Sequence, residues 1–469
     1  MPRLEEPVEI GGVTIPNRLY RAPVLECAGN GPDAVDTLIE DLEPAAESGV
    51  GLLCQGATIV RGEGGCAAPG MTRVHDPEFV LQLTRLTDRI HDHGSRIFVQ
   101  LEHGGLRSME TWHAGFRADN PDLEQLAVST LPWQLRALDS VGFLEYNPHV
   151  LSTNEVYDLA ADFGAAAANC ADAGYDGIHL SGANMGVVQQ FLSPFYNRRE
   201  DEFGGSLEAR MRFLEVVHDE IRDRVGDVPL ITKVPAERPA PPWPVVRRKL
   251  SLEDGVEIAR RLEAVGYDGV VPVETSVTWD MSIVRGSFPK RAWENEALRE
   301  KYDEAFGSAW RRRLVAAGNR LESFVYDFDP GWNETFCRRV REQVSIPVLA
   351  EGGIRERGQM DRLLGGTEGS QSPACDMVGM ARPFYAEPRL GARLLEEEPK
   401  ATKDPTLRVI CENCNNCTIP QVTGAPGICR TPSVLRTRGE LERAGAYDRT
   451  PIDGRRPSSD DRDTSTGDR

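Results

Sequence analysis

Four cysteines concentrate the chemistry of this chain. Residues 411–429 read CENCNNCTIPQVTGAPGIC, which sets Cys411, Cys414 and Cys417 at CxxCxxC spacing and places Cys429 after eleven intervening residues. Three thiolates on one tight loop and a fourth from a distance suit a cubane, in which each iron takes one protein sulfur. Zinc more often draws on two separated CxxC knuckles, so a 4Fe-4S cluster is the favoured reading, with zinc and free thiols as alternatives. Of the ten cysteines the other six are scattered, which speaks for reduced thiols and against a disulfide framework.

A cluster needs a scaffold, and the rest of the chain supplies the pattern of one. Short apolar runs of strand type alternate with longer amphipathic ones, as in parallel strands joined by helices. Eight runs qualify: LYRAPV from Leu19, VGLLCQGATI from Val50, RIFVQL from Arg96, YDGIHL from Tyr175, PLITKV from Pro229, YDGVVPV from Tyr267, IPVLA from Ile346 and CDMVGM from Cys375. They predict an α/β fold of the (β/α)8 TIM-barrel type. Between them, Leu207, Met211, Leu214, Val217 and Ile221 fall at helical spacing behind Ser206, a natural N-cap. AGYDGIHL and VGYDGVVPV each end a helix before a glycine and turn into a buried strand.

Two connections are too long to be minimal, residues 104–150 after the third run and 274–342 after the sixth, the latter with a charged helical stretch over 292–317. Both follow strands, on the face where barrel active sites are built, and read as substrate-covering lids; insertions serving solubility or oligomer contacts are the plainer alternative. Trp112 and His113 lie in the first. The expected organisation is a barrel over 1–400, a cluster-binding extension over 401–435 and a polar tail over 436–469. That tail ends PSSDDRDTSTGDR, too poor in apolar residues to offset its ordering entropy, so disorder is expected there.

Composition narrows the partners. Acidic residues outnumber basic ones 73 to 54, a formal net charge of −19, so the overall field repels nucleic acid and anionic lipid. Lysine occurs only at Lys233, Lys249, Lys290, Lys301, Lys400 and Lys403. An acidic, lysine-poor surface fits a halophilic, high-salt cytoplasm, although a GC-rich genome would also favour arginine. No apolar run approaches membrane-spanning length and the opening MPRLEEPVEI lacks a signal-peptide core, so a cytoplasmic location is expected.

Five pieces in order resemble the Old Yellow Enzyme superfamily, in its iron–sulfur branch with 2,4-dienoyl-CoA reductase and trimethylamine dehydrogenase. They are IGGVTIPNRLYRAPV from Ile10, QLEHGG from Gln100, QFLSPFYNRREDEFGGSLEARMRF from Gln190, AEGGIR from Ala350 and VGMARPF from Val378. The resemblance implies FMN over the carboxyl ends of the strands. Ala22, Pro23 and Ala57 would let the backbone approach the flat ring, and Gln100 would hydrogen-bond its pyrimidine edge. Lys233, where the family usually has Arg, would stabilise negative charge near flavin N1. Gly352, Gly353, Ala381 and Arg382, after the seventh and eighth runs, would hold the phosphate. Leu25 stands where a covalent flavin link would be made, so noncovalent FMN is expected, with Cys27 close by.

The resemblance breaks at the fourth strand, which reads IHLSGANMG. Ser181 and Asn184 take the places of the substrate-binding His and His or Asn, and Gly186 replaces the proton-donating Tyr. Other candidates for proton transfer are His103, His179 and Glu274, with His179 read rather as a satisfied barrel-interior residue. The leading expectation is an FMN- and 4Fe-4S-dependent oxidoreductase reducing a conjugated C=C bond of an enoyl or dienoyl substrate. An amine or N-methyl dehydrogenase is the alternative from the cysteine spacing, and a non-catalytic electron-transfer subunit the alternative from the lost Tyr and His. No dinucleotide-binding fingerprint follows the barrel, so electrons would come from NAD(P)H bound directly or from an external ferredoxin or flavoprotein. A homo-oligomer fits but is not required.

Overall fold

Every run of strand character pairs in parallel with a neighbour. In the computed structural model, which describes residues 3–108, 113–142, 144–239, 246–278, 280–365, 372–395 and 407–448, the barrel strands are β1 (Leu19–Arg21), β2 (Leu52–Ile59), β3 (Arg96–Glu102), β4 (Gly177–Leu180), β5 (Leu230–Arg238), β6 (Gly269–Ser276), β7 (Leu349–Ala350) and β8 (Met377–Met380). Their hydrogen-bonded order is β6-β5-β4-β3-β2-β1-β8-β7. A parallel bridge from Val270 to Val348 joins β6 to β7 and closes the ring. The fold is therefore the expected (β/α)8 TIM barrel.

The strands are apolar along their length because both faces are covered. Tyr20, Leu52, Phe98, Ile231, Val271 and Met377 pack together inside the ring. A larger cluster fills the layer between strands and helices, including Phe163, Phe213, Leu214 and Val217. The helix read behind Ser206 spans Leu207–Val225, and the Ser206 hydroxyl accepts from Ala209 N at 3.2 Å. The repeated YDG device has a physical basis. Gly174 and Gly266 end their helices at φ +88° and +115°, where a Cβ is strained. The aspartates that follow, Asp176 and Asp268, then accept from the neighbouring strand's Ile97 N and Leu230 N, each at 2.8 Å.

Both long connections rise from the carboxyl ends of their strands and meet there. The second carries helices over Lys290–Trp293, Arg299–Phe306 and Ala309–Val325. Its Ala292, Tyr302 and Phe306 pack against Ile419 and Val422 of the cysteine segment. The first connection reaches the same segment through His113, whose Nε2 lies 3.1 Å from Val422 O. Trp112 lies outside the described residues.

The tail departs from expectation at its start. Disorder was expected from residue 436, but Pro432–Arg443 is a helix and the chain is described to residue 448. A few well-placed groups suffice to anchor it: Val434 is buried, and the Tyr447 hydroxyl donates to buried Glu387 at 2.9 Å. Residues 449–469 lie outside the described residues. Among the described residues no helix is long and apolar enough to cross a membrane.

Candidate functional site

A cavity opens at the carboxyl ends of the strands, and the nine positions assigned to FMN from sequence line it together: Ala22, Pro23, Ala57, Gln100, Lys233, Gly352, Gly353, Ala381 and Arg382. The strand alternation of β3 turns Gln100 inward, and its Nε2 is buried without a hydrogen-bond partner. An unpaired amide donor in a cavity wall fits a ligand that brings an acceptor. Leu25 also lines the cavity, while Cys27 Sγ lies 3.4 Å from Gln421 O and burial pushes its thiol up to about 12.

The phosphate-type end is built around two glycines. Gly352 and Gly353 adopt φ +100° and +70°, and a Cβ would fall 2.7 Å from the Trp332 ring at the first and 2.4 Å from Asp329 O at the second. Only glycine fits both the angle and the space. Arg382 Nη1 donates to Val284 O at 3.1 Å and to the side-chain oxygen of Asn415, and its Nη2 donates to Arg285 O at 3.0 Å. All these partners are neutral, so none of them cancels the guanidinium charge, and the end of the cavity suits an anion.

Lys233 has a partner that sequence reasoning missed. Its Nζ donates to Glu351 Oε2 at 2.8 Å, and Tyr20 OH donates to Glu351 Oε1 at 2.8 Å. Glu351 itself lines the cavity, one residue before the glycine pair. It stands inside the quoted AEGGIR, where only the glycines carried a recognisable role.

The five candidate catalytic residues separate. Asn184 lines the cavity at φ +67°, its carbonyl accepting from Arg107 Nη1 at 2.8 Å. The other four are not among the lining residues. Ser181 is buried, and its hydroxyl, which meets no partner at full hydrogen-bond geometry, lies near enough to Glu102 to draw that carboxyl down. His103 Nδ1 accepts from Gly105 N at 3.0 Å, and burial holds its imidazole neutral, down to about 3. His179 faces the barrel interior with Nδ1 3.3 Å from Cys54 Sγ, and burial holds it far below the usual histidine range. Glu274 follows Val271 and Val273, which face the barrel interior, so alternation turns its side chain to the other face of β6, where it pairs with Arg285, at 3.2 Å, and Arg238.

Two further polar residues line the cavity beside Asn184. Glu102, two residues beyond Gln100 on the same face of β3, is 3% exposed and its Oε1 has no hydrogen-bond partner. Burial raises its carboxyl above the usual range, against the pull of Arg107, Ser181 and Lys233. Arg107 Nη1 lies 3.9 Å from Glu102 Oε1. Period-two alternation from Gln100 is the signal that could have found Glu102.

The cysteine segment forms the adjoining wall, with Asn413, Thr418, Gln421 and Val422 among the lining residues. Asn413 and Asn415, at φ +52° and +57°, turn the chain between its cysteines, and Asn413 O accepts from Ser287 N at 3.0 Å. Cys411, Cys417 and Cys429 are all raised by burial, and each is raised further by Cys414, so the four thiols share one neighbourhood. Arg382 and Arg355 pull Cys411 the other way. The donor set has the chemistry of an iron–sulfur ligand set. Among the described residues, however, no three His, Cys, Asp or Glu side chains are gathered closely enough to hold a metal ion.

Comparison with known proteins identifies the family. The NADH oxidase of Thermoanaerobacter brockii is 27% identical over 446 residues, 91% of this chain and 57% of that protein. The N,N-dimethylglycine/sarcosine dehydrogenase of Chromohalobacter salexigens is 26% identical over 429 residues, 91% of this chain and 52% of that protein. The chain thus spans about half the length of these curated relatives. Among solved structures, a 2-naphthoyl-CoA reductase superposes with a TM-score of 0.68 at 18% identity, covering 95% of this chain and 58% of that one, a likeness of fold. Residues 3–322 match the family described as NADH:flavin oxidoreductase / NADH oxidase, and to that family, within the Old Yellow Enzyme superfamily, the chain belongs.

Proposed function

We propose that the chain is a flavin-dependent oxidoreductase that holds FMN in the strand-end cavity and a 4Fe-4S cluster on Cys411, Cys414, Cys417 and Cys429. The observation that carries this reading is the position of Arg382, which lines the cavity and at the same time donates to Asn415 inside the cysteine loop. One wall therefore serves both sites. FMN supplies hydride transfer at N5 and links two-electron to one-electron chemistry. Gln100 Nε2 would donate to its pyrimidine edge, Lys233 would offer a cation tempered by Glu351, and Arg382 with the amides around Gly352 and Gly353 would hold its phosphate.

The reaction we favour is reduction of a conjugated C=C bond, because the cavity carries a buried carboxyl with an unpartnered oxygen. Oxidation of an N-methylated amine is the second reading, supported by the dehydrogenase relative that aligns with 91% of the chain. Electrons come from NAD(P)H bound directly or from a ferredoxin or flavoprotein partner.

Protein purified without oxygen tests the cofactors. Structured flavin bands over a broad background that bleaches on reduction are expected, with about four irons and four acid-labile sulfides per chain. Cys417→Ser should remove the background and leave the flavin bands. Flavin bands without iron in the parent chain would overturn the cluster, and a colourless preparation would overturn both assignments. Stopped-flow reduction by NADH, NADPH or reduced ferredoxin then identifies the donor.

A further inference from the structure

We propose that Glu102 is a catalytic acid of this site, delivering a proton to the substrate carbon that hydride arrival at its neighbour leaves electron-rich. The inference rests on the flavin reading above and adds to it the residue that handles the proton. Its position follows from strand geometry. Gln100 and Glu102 are two apart on β3, so they share a face and are offset by about 7 Å along the strand toward the barrel mouth. A group served by Gln100 therefore lies one layer deeper than a group served by Glu102, as substrate above a flat ring requires.

Elimination among the cavity's acids points to the same residue. Glu351 is occupied by Lys233 and Tyr20. Asp280 accepts from Ser276 at 2.5 Å and from Tyr326 at 2.8 Å. Tyr385 donates to Leu25 O at 3.1 Å and accepts from Gln421 Nε2. Glu102 is the carboxyl among the described lining residues with a buried oxygen that accepts no hydrogen bond, its nearest cation being Arg107 at 3.9 Å. The space beside it is kept open by Gly186, where a Cβ would fall 3.2 Å from Glu102 Oε1. Three groups bear on its ionisation: Arg107 at 3.9 Å, Lys233 and Ser181. His103, next in the chain, is held neutral by burial.

In the step itself, hydride from the reduced flavin forms a C–H bond at one alkene carbon and the π pair moves toward the other. The Glu102 O–H bond breaks as the second C–H bond forms, and the carboxylate regains its proton from water. The alkene is reduced by two electrons and the flavin is oxidised by two.

The test uses the full chain with its flavin photoreduced without oxygen, mixed in stopped flow with trans-cinnamaldehyde or N-methylmaleimide. Both carbonyls of the maleimide activate its alkene toward hydride, and the ring enolate that results, conjugated with one of them, takes its proton from water. Glu102→Gln should slow flavin reoxidation by cinnamaldehyde about 100-fold or more, and reoxidation by the maleimide by less than about threefold. The cinnamaldehyde rate of the parent chain should fall as pH rises through the Glu102 ionisation, that of Glu102→Gln should not, and Glu102→Asp should recover part of the rate. An unchanged cinnamaldehyde rate in Glu102→Gln, equal losses with both alkenes, or a parent chain whose reduced flavin reacts with neither would each overturn the proposal. A chain that binds no flavin fails the earlier reading instead, and is recognised before any alkene is added.

Discussion

Glu351 tempers the charge that a ligand beside Lys233 meets. Its carboxylate is 2.8 Å from Lys233 Nζ, so the family's cation survives here as half of an ion pair. Replacing it by glutamine leaves the lysine charge unopposed and favours a reduced, more negative flavin. Glu351→Gln is therefore expected to raise the flavin midpoint potential, by about 30 mV for each 1.4 kcal/mol of added stabilisation, and spectroelectrochemistry reads this directly. A potential that stays in place would mean the pair does not act on the flavin. Residues of this kind are hard to read from sequence. Gln100, Gly352 and Arg382 were legible because they sit in recognisable pieces with known work. Glu102 and Glu351 were not, because one carboxylate in a strand or before a glycine pair is ordinary until the closed ring turns it into a cavity.

The longest recognisable piece, QFLSPFYNRREDEFGGSLEARMRF, proves to be structural at the scale of an element. Asn197 Nδ2 donates to Phe191 O and Phe203 O, both at 2.7 Å, and Arg210 Nε donates to Leu192 O at 2.7 Å. Arg199 Nη1 donates to Val128 O at 2.9 Å and Leu151 O at 2.5 Å, tying this loop to both ends of the first long connection's return. Arg199→Ala strands those two carbonyls and is expected to cost about 2 to 4 kcal/mol in urea unfolding. A cost within error would show that water replaces the arginine. The second connection holds a pH-sensitive brace. Half-buried Glu322 accepts from Asn319 Nδ2 at 3.1 Å and is raised to about 7 by burial and by Asp280. A carboxyl raised on folding keeps a proton the unfolded chain releases, so its contribution is full below the ordinary carboxylate range and is lost as pH rises through about 7. Hydrogen exchange over residues 309–326, corrected for intrinsic rates, should be faster at pH 8 than at pH 6, and Glu322→Gln should remove the difference. The helices here were only partly legible: the charged stretch over 292–317 reads as one, but Gly307 at φ +65° ends Arg299–Phe306 and a new helix begins at Ala309.

The molecule as a whole was the most legible level. Eight apolar runs became eight parallel strands in the order read, because strands covered on both faces must be apolar throughout. The start of the tail was misread for the converse reason, since Val434 and Tyr447 anchor a segment whose average composition is polar. The roof of the cavity was legible only in part, because it depends on contacts between residues remote in sequence. Gln421 Nε2 donates to Leu25 O at 2.6 Å, across 396 residues. At roughly 5 to 20 residues per second of synthesis, Leu25 leaves the ribosome roughly 20 to 80 s before Gln421 does. The ring itself is complete only with β8, which ends at Met380, so the barrel strands precede the segment that covers their mouth by roughly 2 to 8 s of synthesis, and the roof is the last part of the cavity to be made.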